Sequence, residues 1–198
     1  METPPRLSQH SFPPPLISLL STLHRAGHET FVVGGAVRNI LLGRPVIDYD
    51  ITTSATPEDL VKLFSALGVI RGAYGNTTII IDKHRFELTT FRQESGCRDH
   101  RHPDVVIFVS SYDEDWARRD FTINAIAYNP LIQETQDPAN GLHDIDCRLI
   151  RCIGSATVRF EEDVLRMLRA IRLATECSFF IESKTLAAIT LERFSRAT

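Results

Sequence analysis

Lysine is nearly missing from this chain. Of 22 basic residues only Lys62, Lys83 and Lys184 are lysines, so arginine carries the positive charge, and its planar fork suits phosphates and base edges better than an ammonium does. Codon bias produces the same skew, so the count alone assigns no function. The net charge of -3 offers no global attraction to nucleic acid either. Cysteine is sparse. Cys97, Cys147, Cys152 and Cys177 form no CxxC pair and no metal-ligand spacing, which excludes a disulfide framework and a zinc ribbon and reads as reduced thiols of an intracellular, cytoplasmic protein. No run of 18 apolar residues occurs, so no helix is expected to span a membrane. The proline-rich stretch up to Pro15 lacks a basic start followed by an apolar core, and reads as a loose lead-in rather than a signal peptide. Internal repeats are absent.

What remains is 198 residues, 43% of them hydrophobic, enough for an ordinary domain and a smaller appended one. The pattern predicts a helix over residues 15–26 closed by Gly27, a short strand over 30–33, and a helix over 36–42 stopped by Gly43 and Pro45. Alternation predicts a strand over 46–51. Thr56-Pro57-Glu58-Asp59 is a helix start, with a capping hydroxyl, proline at the first helical position and acids in the first turn; that helix should run to Gly68. A hairpin is expected from strands 77–81 and 85–91 around Asp82-Lys83-His84. Residues 93–103 read as a polar loop, 105–109 as a strand, 113–127 as one helix and 149–153 as a last strand. Beyond Thr157 the pattern is purely helical. The expected architecture is therefore α+β: a head with a mixed sheet and flanking helices over 1–154, then a helical neck over 155–198.

The chemistry begins at Asp48 and Asp50. Two apart in a strand, they share a face, leaving Ile47, Tyr49 and Ile51 for the core. Paired carboxylates repel unless a cation lies between them, and Mg²⁺ is the usual cation of all-oxygen sites that bridge phosphates. A bare Asp-x-Asp is more often a solvated strand face. Just upstream, Gly34-Gly35 joins a strand to a helix, where bare backbone N–H groups and the helix terminus favour an anion, and Arg38 lies in the first turn of that helix. The plain alternative is a tight turn with Arg38 exposed. An anion cradle followed closely by paired carboxylates is the order that nucleotidyl transfer requires. Glu87, opposite in phase to Phe86 and Leu88, could supply a third acid; alone it reads as a surface glutamate.

Arginine-bearing helices follow. Asn124 lies four residues after Asp120 in the first, behind Arg118-Arg119. In the second, Glu162, Arg166 and Arg169 form a stripe, with Asp163 three before Arg166 and Arg172 three after Arg169. Ion pairing accounts for Glu162 and Arg166, yet such pairs contribute only about 0.2–0.5 kcal/mol each, little reason for so many arginines. An Asp and an Arg so spaced present an acceptor and a fork of donors to a base edge. His100 and His102 read as loop residues rather than ligands, and Trp116 as core.

These stretches together carry a resemblance. FVVGGAVRNILLGRPVIDYDITTSATPEDL, FELTTFR, DHRHPDVVIFV, ARRDFTINAIAYNP, DPANGLHDIDCRLIRCIG and RFEEDVLRMLRAIR, in that order, resemble the class II tRNA nucleotidyltransferase (CCA-adding enzyme) and bacterial poly(A) polymerase family. The resemblance implies that Gly34, Gly35 and Arg38 hold a triphosphate, that Asp48 and Asp50 bind Mg²⁺ with Glu87 as the third acid, and that Arg118, Arg119, Asp120 and Asn124 contact the nucleotide and its ribose. It implies that Glu162, Asp163 and Arg166 match the family's EDxxR, whose Asp and Arg act as an amino-acid template for CTP or ATP, with Arg169 and Arg172 as neighbouring contacts. The loop after Arg92 matches the element used in switching from C to A addition. The implied reaction adds CMP and AMP to the 3′ end of tRNA; an A-only, CC-only or poly(A) activity is the near alternative, and a nucleotide-binding fragment that needs a helical body domain or partner chain the distant one. Asn39 stands where the family usually has Asp, and the family's helical body and tail are not expected within these residues.

Overall fold

The computed structural model describes residues 3–97 and 103–190. In chain order the elements are α1 (Pro5–Ser8), α2 (Pro14–Arg25), β1 (Thr30–Val33), α3 (Gly35–Leu42), β2 (Asp50–Thr53), α4 (Pro57–Leu63), β3 (Gly68–Arg71), β4 (Asn76–Ile81), β5 (His84–Thr90), β6 (Arg92–Ser95) and β7 (Val105–Phe108). They continue with α5 (Tyr112–Asp115), two short 3-10 turns at Trp116–Arg118 and Thr122–Asn124, β8 (Ala127–Asn129), β9 (Glu134–Gln136), α6 (Gly141–Asp146), β10 (Leu149–Ile150), α7 (Ala156–Glu162), α8 (Leu165–Cys177), β11 (Phe180–Ile181) and α9 (Ser183–Ala187).

Seven strands form one mixed sheet in the order β3-β4-β5-β2-β1-β8-β9, with β2 and β5 parallel and the other pairs antiparallel. This is the mixed sheet with flanking helices that the sequence predicts. β1 lies near its centre and is buried along its whole length. Its alternation sends Val32 to the large core, with the leucines of α2, and Phe31 and Val33 to a smaller cluster with Phe91, Tyr112 and Ala127 on the opposite face. That smaller cluster is the bed on which α5 rests. The β4–β5 hairpin closes through Asp82 and Lys83, both at positive φ (47° and 69°), the twist that a two-residue hairpin turn needs. At α4, Thr56 Oγ1 accepts from the Asp59 amide while the Asp59 carboxylate accepts from the Thr56 amide, a reciprocal cap.

Several expectations need correction, and most of them yield to a contact between residues distant in sequence. The strand over 46–51 begins only at Asp50, because Asp50 pairs with Val33, the last residue of β1; earlier residues run past the point where their partner turns away at Gly34. Ile47 is accordingly 88% exposed, not core. The single helix over 113–127 is broken. Phe121 bridges to Cys152, and the amides of Thr122 and Ile153 donate to the carbonyls of Arg151 and Asp120. The helix of the EDxxR stretch breaks at Asp163, whose backbone is extended and whose Oδ1 accepts from the Leu165 amide at 2.9 Å, starting α8 afresh. Only Leu149–Ile150 of the last strand forms; it pairs with Phe180–Ile181, so the later chain is not purely helical. The lead-in is not loose, since α1 inserts Leu7 into the core. Nearby, α4 stops at Leu63, and Gly68 opens β3 instead of closing a helix. Residues 92–95 pair with 105–108, leaving less loop than expected; His100 and His102 fall outside the described residues.

Candidate active site

Past the end of β1 and β2 the chain opens a cleft of about 550 Å³, with α8 lining its other side. Gly34, Gly35, Arg38, Asp50, Arg118, Arg119, Asp120, Asn124, Asp163, Arg166, Arg169 and Arg172 all line it. Of the residues singled out in the sequence, Asp48, Glu87 and Glu162 do not. Glu87 lines an adjoining hollow of about 420 Å³ that shares Asp50, Arg118 and Arg119 with the cleft.

The glycine turn is shaped by necessity. Gly34 adopts φ 70°, ψ −137°, a region effectively closed to side chains, and a Cβ built there would lie 3.3 Å from Asp50 Oδ2. Gly34→Ala should therefore lower stability by about 1–3 kcal/mol and displace the Asp50 carboxylate; urea unfolding midpoints and nucleotide titration check both effects, and an unchanged midpoint would show the turn to be unconstrained. Arg38 is buried, donating to Asn124 Oδ1 at 2.8 Å and, from Nη2 and Nε, to Asn39 Oδ1 at 3.1 and 3.3 Å. Among the described residues no carboxylate pairs with it. Asn39 is the reason: Asp at this position would neutralise the guanidinium, whereas the amide accepts from Arg38 and donates Nδ2 to the Pro45 carbonyl at 3.2 Å. The departure from the family pattern leaves Arg38 without an ion-pair partner among the described residues and ties down the segment leading to Asp48.

Asp50 and Glu87 are register partners on the parallel strands β2 and β5, so their side chains share a face. The Asp50 carboxyl is raised above the usual range, first by partial withdrawal from water, next by Glu87, with Asp48 adding and Arg119 opposing. Asp48 itself is exposed, in the segment before β2 rather than within the strand. Glu87 leans toward Arg85, 2.9 Å away, both well exposed. Among the described residues no three acids stand close enough to hold a metal ion as placed, so the expected three-acid convergence is not reached in this arrangement. The donor chemistry nevertheless fits a hard divalent cation: oxygen ligands from carboxylates in mutual repulsion.

The arginine pair is organised by a residue the sequence reading passed over. Asp115, with 0% side-chain exposure, accepts from Arg118 Nε at 2.7 Å, Arg119 Nη2 at 2.9 Å and the Arg92 amide at 3.0 Å. Burial alone would raise its pKa, but Arg119 and Arg118 outweigh that and hold it below the ordinary carboxylate value. Its spacing, three and four residues before the two arginines, was the available signal. Arg119 also lies over the Tyr112 ring, 5.5 Å from its centroid, and the Tyr112 hydroxyl, buried and donating to the Ala125 carbonyl, is pushed up to about 12.

Two further links join α8 to this strip. Arg169 spans Asp120 Oδ2 (3.1 Å) and Asp163 Oδ2 (3.2 Å), while Asp120 Oδ1 accepts from the Phe121 amide and Asn124 Nδ2. Arg166, buried, donates to Glu162 Oε2 at 3.0 Å and lies 3.9 Å from Asp163. Arg172 is largely exposed, 3.6 Å from Glu176. Arg159, also unremarked in the sequence, donates to the carbonyls of Arg118 and Arg119.

The chain is similar to proteins of one family. A family model described as the Poly A polymerase head domain matches residues 30–151. A CCA-adding enzyme of Lactobacillus helveticus is 46% identical over 171 residues, 86% of this chain and 43% of that protein. One of Geobacillus thermodenitrificans is 42% identical over 176 residues, 87% of this chain and 43% of that protein. The crystal structure of the Bacillus stearothermophilus CCA-adding enzyme in complex with CTP aligns with a TM-score of 0.77 and 37% identity, covering 94% of this chain and 48% of that one. A tRNA nucleotidyltransferase complexed with a primer tRNA and an incoming ATP analog aligns with a TM-score of 0.68 and 31% identity, covering 86% and 48%. The chain spans 43% of the length of these two curated relatives.

Proposed function

Because the chain belongs to the Poly A polymerase head domain family, we propose that it transfers CMP and AMP from CTP and ATP to the 3′ end of tRNA. The observation that carries this reading is the joining, at one point, of an anion-ready glycine turn and a repelling acid pair: Gly34 beside Asp50, and Asp50 in register with Glu87. In the reaction the RNA 3′ oxygen bonds to the α-phosphorus, the bond to pyrophosphate breaks, and the hydroxyl proton departs. Backbone N–H groups at Gly34 and Gly35, with Arg38, hold the triphosphate. Arg118 and Arg119 balance its charge, Asp120 and Asn124 orient the ribose, and Asp163 and Arg166, backed by Glu162, meet the base edge, with Arg169 and Arg172 beside them. Asp48 and Asp50 are the ligands for Mg²⁺, with Glu87 as a third acid. Such an ion, when bound, makes the attacking hydroxyl more acidic and neutralises the leaving phosphates.

We read residues 1–154 as the catalytic head and 155–198 as a neck carrying the base-reading helix. The reaction is assigned to the cytoplasm; among the described residues no helix is long and apolar enough to cross a membrane. The test is incorporation of labelled CTP and ATP, offered separately, into tRNA ending before C, after C and after CC. Addition of both in order is expected; A-only or C-only products would narrow the activity to a partial-specificity or poly(A) enzyme. A second reading is a nucleotide-binding module that turns over only with a helical body or partner chain. Phosphate contacts dominate RNA affinity, so that reading expects weak tRNA binding beside intact nucleotide binding.

A further inference from the structure

Arg159 does not line the cleft, yet it joins two of the segments that do. Its Nη2 donates to the backbone carbonyls of Arg118 and Arg119, at 3.0 Å for the latter, so α7 is fastened to the strip that carries the arginine pair. Its Nη1 donates at 2.5 Å to Glu162 Oε2, the same oxygen that accepts from Arg166 Nη1 at 3.0 Å. The Arg159 carbonyl accepts from that Arg166 nitrogen as well, at 3.3 Å. One residue therefore holds Arg166 through its main chain and through a shared carboxylate, while gripping the backbone behind Arg118 and Arg119.

Stability alone gives a poor account of this arrangement. Two guanidiniums lie side by side around one carboxylate, and Arg159 Nε is buried with no partner, a cost rather than a gain. A guanidinium does have the fork needed to span two carbonyls and an acid at once, which an ammonium lacks.

We propose that Arg159 is a positioning residue for base selection: it reinforces the direct but long contact of Arg166 Nη2 with the Arg118 carbonyl (3.5 Å), so that the base-reading guanidinium and the phosphate-facing pair keep one separation. The inference rests on the nucleotide-transfer reading above, and its test is made in binding so that the two can fail separately. The full chain and its Arg159→Lys variant are titrated with CTP, UTP and inorganic tripolyphosphate in the presence of Mg²⁺, alongside thermal unfolding. Lysine preserves the charge beside Glu162 but loses the two-carbonyl grip. Expected is an unchanged tripolyphosphate affinity and Tm, with the preference for CTP over UTP reduced about tenfold, the scale of one weakened hydrogen bond. Arg159→Gln, which can still reach one carbonyl but loses the charge beside Glu162, should move the preference the same way and keeps the test open should the lysine variant misfold. A preference unchanged in both variants overturns the proposal. Equal weakening of CTP, UTP and tripolyphosphate overturns it too, and makes Arg159 a structural strut. A wild-type chain that prefers CTP but incorporates none leaves the positioning role standing and removes the transfer reading; one without base preference removes both.

Discussion

Asp50→Asn is expected to reduce nucleotide incorporation by roughly 10³-fold, about 4 kcal/mol of transition-state stabilisation at 1.36 kcal/mol per factor of ten, while leaving the fold intact or firmer. The amide keeps the shape of the carboxylate and removes the charge. That charge is at most a mild liability to the fold: Asp50 is exposed as a residue, and its carboxyl is raised by partial desolvation, then by Glu87 and Asp48, all of which solvent screens. A carboxyl whose folded pKa exceeds its unfolded value weakens the fold once ionised. The substitution should therefore leave Tm equal or higher at neutral pH as activity disappears. A residue placed for stability behaves the opposite way, which makes the pair of measurements decisive. Glu87→Gln should do less, because Glu87 is 63% exposed beside Arg85 and solvent already screens it. Full incorporation by Asp50→Asn would remove the metal-ion mechanism altogether.

What the sequence discloses about this site follows a physical division. The turn from β1 through Gly34 into α3, the capped start of α4 and the β4–β5 hairpin are set by neighbouring residues, and all were readable from local pattern. Features set by a partner far along the chain were not. The start of β2 depends on where β1 ends, some seventeen residues earlier by register, since Asp50 faces Val33. The interruption at Arg119–Phe121 depends on Cys152 and its neighbours; the apolar spacing of residues 121–128 suited a helix well enough to hide it. Asp163 read as one position on a helical stripe, although its extended backbone ends α7 and its carboxylate accepts from the Leu165 amide at the start of α8. Even so, twelve of the fifteen residues singled out face one cleft. Chemistry that must meet a common ligand survives errors in secondary structure, because the ligand, not the helix, sets the convergence. Asp115 and Arg159 were passed over for the complementary reason: they act on other side chains and backbone rather than on the cleft.

Asp115 should accordingly be the costliest of these positions to disturb. Asp115→Ala would take the nearest counter-charge from both Arg118 and Arg119, leaving Arg118 only Glu94 at 3.5 Å, and breaking such a buried pair costs about 3–5 kcal/mol. Asp115→Asn is no conservative exchange here, since three N–H donors converge on the carboxylate and an amide would turn its own NH₂ toward one of them. Urea unfolding at neutral pH checks the magnitude; a loss below about 1 kcal/mol, the ordinary worth of a surface pair, would show that water reaches the cluster. The acid limb supplies an independent signature. Because the folded pKa of Asp115 is depressed, its stabilisation is complete above the unfolded value of about 3.9 and is lost as pH falls through the lower folded value. Wild-type stability should thus decline more steeply below about pH 4 than that of Asp115→Asn, which has no proton to take up. Incorporation by the variant should collapse with triphosphate affinity falling alongside, since the arginines that face the cleft would no longer be aimed. If the variant unfolds more easily yet binds nucleotide as before, Arg118 and Arg119 are held by Tyr112 and the neighbouring backbone, and the aiming role passes from Asp115 to them.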